Sequence, residues 1–127
     1  THRDFTVYGN DYETRDGTCV RDYVQIVDLC SAHLLTLDAL TSGHKTDVFN
    51  VGLGLGFSNI EVVEMVKKVS GVDFPVKYGI RRPGDANELV ADTSKIKKEL
   101  NWQPKYSDLE TIVVNAWQWH KNHPQGY

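Results

Sequence analysis

Along the whole chain, short runs rich in β-branched and aromatic residues alternate with segments whose apolar residues recur at helical spacing. This alternation predicts a mixed α and β unit rather than a bundle or a sandwich. After a polar lead over residues 1–4, Phe5-Thr-Val-Tyr8 reads as a strand, and residues 9–17 form a polar, acidic loop. Residues 19–27 read as extended, and Asp28 is expected to cap a helix carrying Leu29, Ala32, His33, Leu37 and Leu40 until Gly43 stops it. Val48-Phe-Asn-Val51 is expected to be a short apolar strand, closed by a glycine-rich turn over 52–56. Ser58-Asn-Ile-Glu61 is a capping box, since a serine hydroxyl and a glutamate three residues on can each satisfy a free backbone N–H. The helix behind it carries Val62, Val63, Val66 and Val69 and ends at Gly71. Residues 74–78 read as a strand, 81–85 as a turn and 89–91 as extended. Thr93 or Ser94 is expected to cap a short helix through Ile96 and Leu100, after which Trp102 packs back on the core. Ser107-Asp-Leu-Glu110 reads as a second capping box. The last helix carries Leu109, Ile112, Val113, Ala116 and Trp117 on one face and ends before His123-Pro124. No repeat or linker divides the chain, so residues 1–127 are read as one unit.

Composition narrows the function classes. With 127 residues, 40% of them hydrophobic, the chain can bury a real core. A formal charge of −3 argues against a dedicated nucleic-acid binder. No apolar run reaches membrane-spanning length and no signal segment opens the chain, and the two cysteines, Cys19 and Cys30, have neither metal-like nor redox-like spacing. They read as reduced thiols of a cytoplasmic protein. The chain opens without an initiator methionine, which suggests that its length need not be that of the natural gene product.

Three constellations could carry chemistry. Gly52-Leu-Gly54-Leu-Gly56-Phe57 follows a strand and precedes a helix, the context of a dinucleotide-binding turn. The third glycine of that fingerprint is replaced by Phe57, and no suitable acidic residue follows on a second strand, so the run reads as a tight βα connection. His120 and His123 read as helix-terminal residues that solvate the last carbonyls, and His33 as a core or half-buried histidine, with no metal site supported. Arg21 and Arg82 lie on or beside turns, where a planar guanidinium fork suits a phosphate. The competing reading pairs them with Asp22 and Asp85 on the surface.

Several blocks carry a resemblance: Tyr8-Gly-Asn-Asp-Tyr12, Asp16-Gly-Thr-Cys-Val-Arg-Asp-Tyr23, Val27-Asp-Leu29, Phe49-Asn-Val-Gly52, Arg81-Arg-Pro-Gly-Asp85, Leu100-Asn-Trp102, and the tail Trp117-Gln-Trp-His120 with His123-Pro-Gln-Gly-Tyr127. In this order they strongly resemble the C-terminal third or so of UDP-glucose 4-epimerases, in the extended short-chain dehydrogenase/reductase family. The resemblance implies a fold with the last βα unit of a Rossmann sheet and a UDP-sugar-binding portion. It implies a parent that is a cytoplasmic, homodimeric isomerase of galactose metabolism. That parent binds NAD in an N-terminal domain, oxidises the sugar at C4 with a tyrosine base and returns the hydride to the other face. Read four residues on from Tyr8, Tyr12, Tyr23, Tyr78 and Tyr106, no lysine appears, so the Tyr-x-x-x-Lys pair is absent from this chain. The chain alone is therefore expected to be inactive and to hold no cofactor.

Matched motif by motif, the resemblance implies that Thr6 and Tyr8 meet the uracil, Arg21 and Arg82 hold the diphosphate, and Asp85 accepts ribose hydroxyls. Leu89 falls at the sugar pocket, where its intermediate to large bulk points towards UDP-glucose and UDP-galactose and leaves acetamido sugars open. The resemblance also implies that residues 28–52 pack on a Rossmann sheet that this chain lacks, leaving a strand edge and a helix face liable to self-associate. The alternatives are another UDP-sugar epimerase, a dehydratase or decarboxylase of the same family, or a stand-alone, non-catalytic UDP-sugar-binding module.

Overall fold

The computed structural model describes residues 5–126; the polar lead and Tyr127 lie outside the described residues. The order is β1 (Phe5–Tyr8), β2 (Val20–Arg21), α1 (Ile26–Thr41), β3 (Phe57–Ser58), α2 (Asn59–Ser70), β4 (Val76–Gly79), β5 (Glu88–Leu89), α3 (Ser94–Leu100) and α4 (Leu109–Asn122). The mixed architecture expected from the alternation is present. β1 and β4 pair in parallel, with Tyr8 opposite Gly79. β2 lies between antiparallel β3 and parallel β5, which sets Arg21 beside Phe57 on one side and Leu89 on the other.

The punctuation read from the sequence holds best where it is local. Ser58 accepts from the Glu61 N–H and Glu61 accepts from the Ser58 N–H, completing the capping box of α2. Gly71 closes the same helix in the left-handed conformation at φ 69°. Two other caps are displaced. α1 starts at Ile26, two residues before Asp28, because the Gln25 side chain accepts from the Val27 N–H. α4 is capped by Asp108, whose carboxylate accepts from the Thr111 N–H at 2.8 Å, and not by Ser107.

Both displaced residues serve a tertiary joint instead. The buried Asp28 carboxylate accepts from the Lys105 N–H at 2.9 Å, the Tyr106 N–H at 2.8 Å and the Ser107 hydroxyl at 2.6 Å. Ser107 Oγ in turn accepts from the Gln25 N–H at 3.1 Å. The start of α1 is thereby locked to the loop that leads into α4.

The long extended segment expected over 19–27 shrinks to β2, beyond which Asp22 still donates to the Leu89 carbonyl before α1 begins at Ile26. Residues 48–51 form no strand; Phe49 and Val51 instead pack against a buried cluster of Ala32, Ile96 and Trp102, with Leu35 and Leu100 around it. Trp102 reaches this core as the sequence suggests. Elsewhere α2 packs on α4, burying Val63, Leu109 and Val113. His33 is exposed, not half-buried, since it lies on the outer face of α1. Cys19 is buried, Cys30 is exposed, and both are free. No described helix is long and apolar enough to cross a membrane.

The outer face of α1 is apolar. Ile26, Leu34, Leu37 and Leu40 are each half or more exposed, and they share one side of the helix with Cys30. A stripe of this kind is stable when something covers it. We expect the isolated chain to self-associate through it, so that sedimentation velocity shows a mass that rises with concentration and falls back in Leu34→Glu. A constant monomer mass for the parent sequence would sink this expectation.

Candidate functional site: a cleft between β1 and α2

Strand alternation shapes the first wall. Val7 is buried, so Thr6 and Tyr8 face the other way, half-buried and exposed respectively. Gly79, paired with Tyr8 across the sheet, leaves room for the aromatic ring. A Cβ there would lie 3.0 Å from Tyr8 and 3.2 Å from Thr6 Cγ2. The second wall is α2, which contributes Asn59, Val62 and Val63. Between them lies a cleft of about 210 Å³, lined also by Phe5, Val7, Tyr23, Arg82 and Asp85.

One end of this cleft is charged. The Arg82 guanidinium lies 4.2 Å over the Tyr8 ring, a cation–π contact at an exposed site. The Asp85 N–H donates to the Arg82 carbonyl at 3.3 Å and closes the Arg81–Asp85 turn. Arg21 approaches from β2. Its Nη1 donates to the Val20 carbonyl at 2.8 Å and the Ala86 carbonyl at 3.0 Å, and its Nη2 stands 4.0 Å from Asp85 Oδ1. Asp85 thus stands 4.0 Å from Arg21, which is pinned by carbonyls, and lines the same cleft as Arg82, which rests on an aromatic ring. Leu89 is more than half exposed on β5 beside Arg21, outside the lining of the cleft.

The structure therefore brings Thr6, Tyr8, Arg82 and Asp85 to one cleft, with Arg21 in contact with Asp85 and Leu89 next along the sheet. The surface-pairing alternative fits Asp85 loosely and fails for Asp22. The Asp22 carboxylate accepts from the Leu53, Gly54 and Ala91 N–H groups at 2.7, 2.9 and 3.2 Å.

Sequence reasoning passed over three side chains. Tyr23 lines the cleft and donates from its hydroxyl to Asn59 Oδ1 at 3.4 Å; burial pushes its pKa up, so the phenol remains protonated at neutral pH. Its signal was present, because Arg21 and Tyr23 are two apart in an extended stretch and share a side. Asn59 follows the capping serine and carries no local mark of a binding role. Arg81 lies 4.0 Å over the Tyr12 ring and donates to Asn87 Oδ1 at 2.8 Å, which braces the turn that carries Arg82.

A second network holds the acidic loop against α2. Arg15 pairs with Glu61 and donates to the Gly56 carbonyl at 2.9 Å, while Asp16 accepts from the Ser58 hydroxyl and from Thr18. The hydrogen bond from Arg15 leads the causes that hold the Glu61 carboxyl below its usual range. Burial drives the Asp16 carboxyl upward, and the Ser58 and Thr18 donors outweigh it to leave the pKa lowered. At the other end of the chain, a His123 ring nitrogen lies 3.0 Å from the Trp119 carbonyl, the helix-terminal contact expected of it. Among the described residues no group of three or more histidine, cysteine or acidic side chains is placed to hold a metal.

The glycine-rich turn does not fit a dinucleotide. Its Leu53 and Gly54 N–H groups, which would face a pyrophosphate, already donate to Asp22, and a carboxylate at that place repels a phosphate.

Residues 1–114 match the family model described as GDP-mannose 4,6 dehydratase. A UDP-glucose 4-epimerase of Lactobacillus helveticus is 50% identical over 97% of this chain, which corresponds to 37% of that protein. The crystal structure of a UDP-glucose 4-epimerase superposes at a TM-score of 0.95 and 42% identity, over 99% of this chain and 38% of the other. The Bifidobacterium longum UDP-glucose 4-epimerase in complex with NAD+ and UDP superposes at a TM-score of 0.88 and 35% identity, over 99% of this chain and 37% of that one. The chain thus spans well under half the length of these relatives. With the family model matched over most of its length, the chain belongs to the GDP-mannose 4,6-dehydratase family of extended short-chain dehydrogenase/reductases and is similar there to UDP-glucose 4-epimerases.

Proposed function

We propose that this chain is the UDP-binding portion of an epimerase that interconverts UDP-glucose and UDP-galactose at sugar C4. The observation that carries the reading is the meeting of Thr6, Tyr8, Arg82 and Asp85 in one cleft, with Arg21 against Asp85 at its charged end. Each piece suits a part of a nucleotide sugar. The exposed Tyr8 ring and the half-buried, apolar Val62 of the cleft lining suit a planar base, and the Asp85 carboxylate suits ribose hydroxyls as an acceptor. Two guanidinium groups suit a diphosphate, because each fork can donate to two oxygens. The pairing of Leu89 with Arg21 across β2 and β5 supports reading Leu89 as a neighbour of the sugar, where its bulk favours an unsubstituted hexose.

This portion binds and orients; it contains no Tyr-x-x-x-Lys pair, and its glycine turn is committed to Asp22. NAD and the proton-transferring tyrosine are accordingly assigned to residues outside this chain, and the chain by itself is assigned no epimerase activity. Calorimetry of the complete gene product with UDP-galactose tests the reading. Arg21→Ala and Arg82→Ala are each expected to weaken binding by roughly tenfold or more, the value of a lost charge-assisted hydrogen bond. Wild-type affinity in both variants would refute the diphosphate assignment.

A further inference from the structure

Arg21 has a neighbour whose hydrogen bonds reach further than its own. Asp22 accepts from the Leu53 N–H at 2.7 Å, the Gly54 N–H at 2.9 Å and the Ala91 N–H at 3.2 Å, while its own N–H donates to the Leu89 carbonyl at 3.1 Å. One residue therefore fastens three segments: β2, the glycine turn and the stretch that continues β5. The fit is close. A Cβ on Gly52 would lie 2.4 Å from Asp22 Oδ2 and 2.8 Å from Ala91 Cβ, so the turn carries glycine there to admit the carboxylate.

We propose that Asp22 is a positioning residue for the diphosphate site, setting the Arg21 guanidinium by holding β5 in register against β2. The proposal rests on the reading of Arg21 as a diphosphate ligand. Arg21 is held on both sides of that strand pair, by the Val20 carbonyl of β2 and by the Ala86 carbonyl just before β5. Asp85, its nearest carboxylate, precedes Ala86 directly. A shift of β5 along β2 moves the Ala86 carbonyl and Asp85 together and takes the guanidinium with them. Adjacent residues of an extended strand project to opposite sides, so Asp22 secures the pair from behind while Arg21 projects forward. Asn in place of Asp keeps the size but turns an amide donor towards backbone N–H groups that need acceptors.

The readout is the ratio of the affinities of the complete gene product for UDP and for UMP, which isolates the contribution of the second phosphate. Arg21→Ala is expected to shrink the ratio by roughly tenfold, the value of one charge-assisted hydrogen bond. Asp22→Asn is expected to shrink it nearly as far, although the arginine is still present. Gly52→Ala, which presses on the same carboxylate from the turn without altering any charge, is expected to do the same and serves if Asp22→Asn fails to fold. If Arg21→Ala shrinks the ratio while Gly52→Ala and any folded Asp22→Asn lower the melting temperature and leave the ratio wild-type, Asp22 is merely structural and the proposal is overturned. If Arg21→Ala itself leaves the ratio unchanged, the reading of Arg21 fails, and the proposal fails with it.

Discussion

Trp102→Ala is expected to destabilise the chain by about 3–5 kcal/mol, the range for removing a large aromatic side chain from a core. Trp102 is only 1% exposed and forms one buried cluster with Ala32 and Ile96. Its indole N–H donates to Ser31 Oγ at 2.9 Å and to the Asp28 carbonyl at 3.3 Å. Truncation therefore opens a cavity between α1 and α3 and also removes both indole hydrogen bonds, leaving the Ser31 hydroxyl only its bond to the Asp28 carbonyl at 2.7 Å. Domains of this size are stable by about 5–15 kcal/mol in all, so the loss is a large fraction of the total. Urea titration followed by far-UV circular dichroism checks the outcome. Trp102→Phe keeps most of the ring and loses the N–H, and is expected to fall between the two. An unchanged midpoint for Trp102→Ala would mean that α1 and α3 are held together elsewhere.

Asp28→Asn is expected to cost about 2–4 kcal/mol, the range for leaving donors of a buried charged joint without their acceptor. The carboxylate accepts from Lys105, Tyr106 and Ser107, whereas an amide offers one acceptor oxygen and turns a donor on the others. The effect carries a pH signature. Burial alone drives the Asp28 carboxyl upward, but the Lys105 N–H, the Ser107 hydroxyl, the Tyr106 N–H and the Lys105 charge together hold its pKa below the usual value. A carboxyl whose folded pKa lies below its unfolded one contributes its full stability above the unfolded value, about 4, and loses it as the pH falls through the folded pKa. Other carboxylates titrate over the same range, so the quantity to follow is the difference in urea midpoint between wild type and Asp28→Asn. That gap is expected to be constant near neutrality and to close on acidification. A gap independent of pH would show that the ionised carboxylate is not what the joint depends on.

Asp28 also shows where local reading stops. By spacing it is a sound candidate for a helix cap, yet Gln25 performs that task three residues earlier, and Asp28 accepts from a segment more than seventy residues away. Ser107 departs from its expected capping box for the same reason. Its hydroxyl is drawn to Asp28, which leaves the capping of α4 to Asp108. The Ser58 box was legible because both of its hydrogen bonds close within one turn of chain. Val48-Phe-Asn-Val51 has the composition of a strand, but a strand needs a ladder, and these residues instead give Phe49 and Val51 to the core around Trp102.

The site divides in the same way. Residue types and turns singled out Arg21 and Arg82 with surface pairing as a rival use, and the motifs that identified the family tipped the balance and added Asp85. Tyr23 could have been found from its alternation with Arg21; Asn59 could not. The sequence by itself determined the alternation of strands and helices, the α2 cap, the burial of Trp102 and the family resemblance, since each depends on neighbours in the chain or on a motif. Only the tertiary structure decided that Asp85 lies against Arg21, that Arg82 rests on Tyr8, and that Asp22 turns from Arg21 to three backbone amides. The physical reason is that a charged side chain goes to whichever donors or acceptors the fold brings within about 3 Å, and sequence distance does not say which those are.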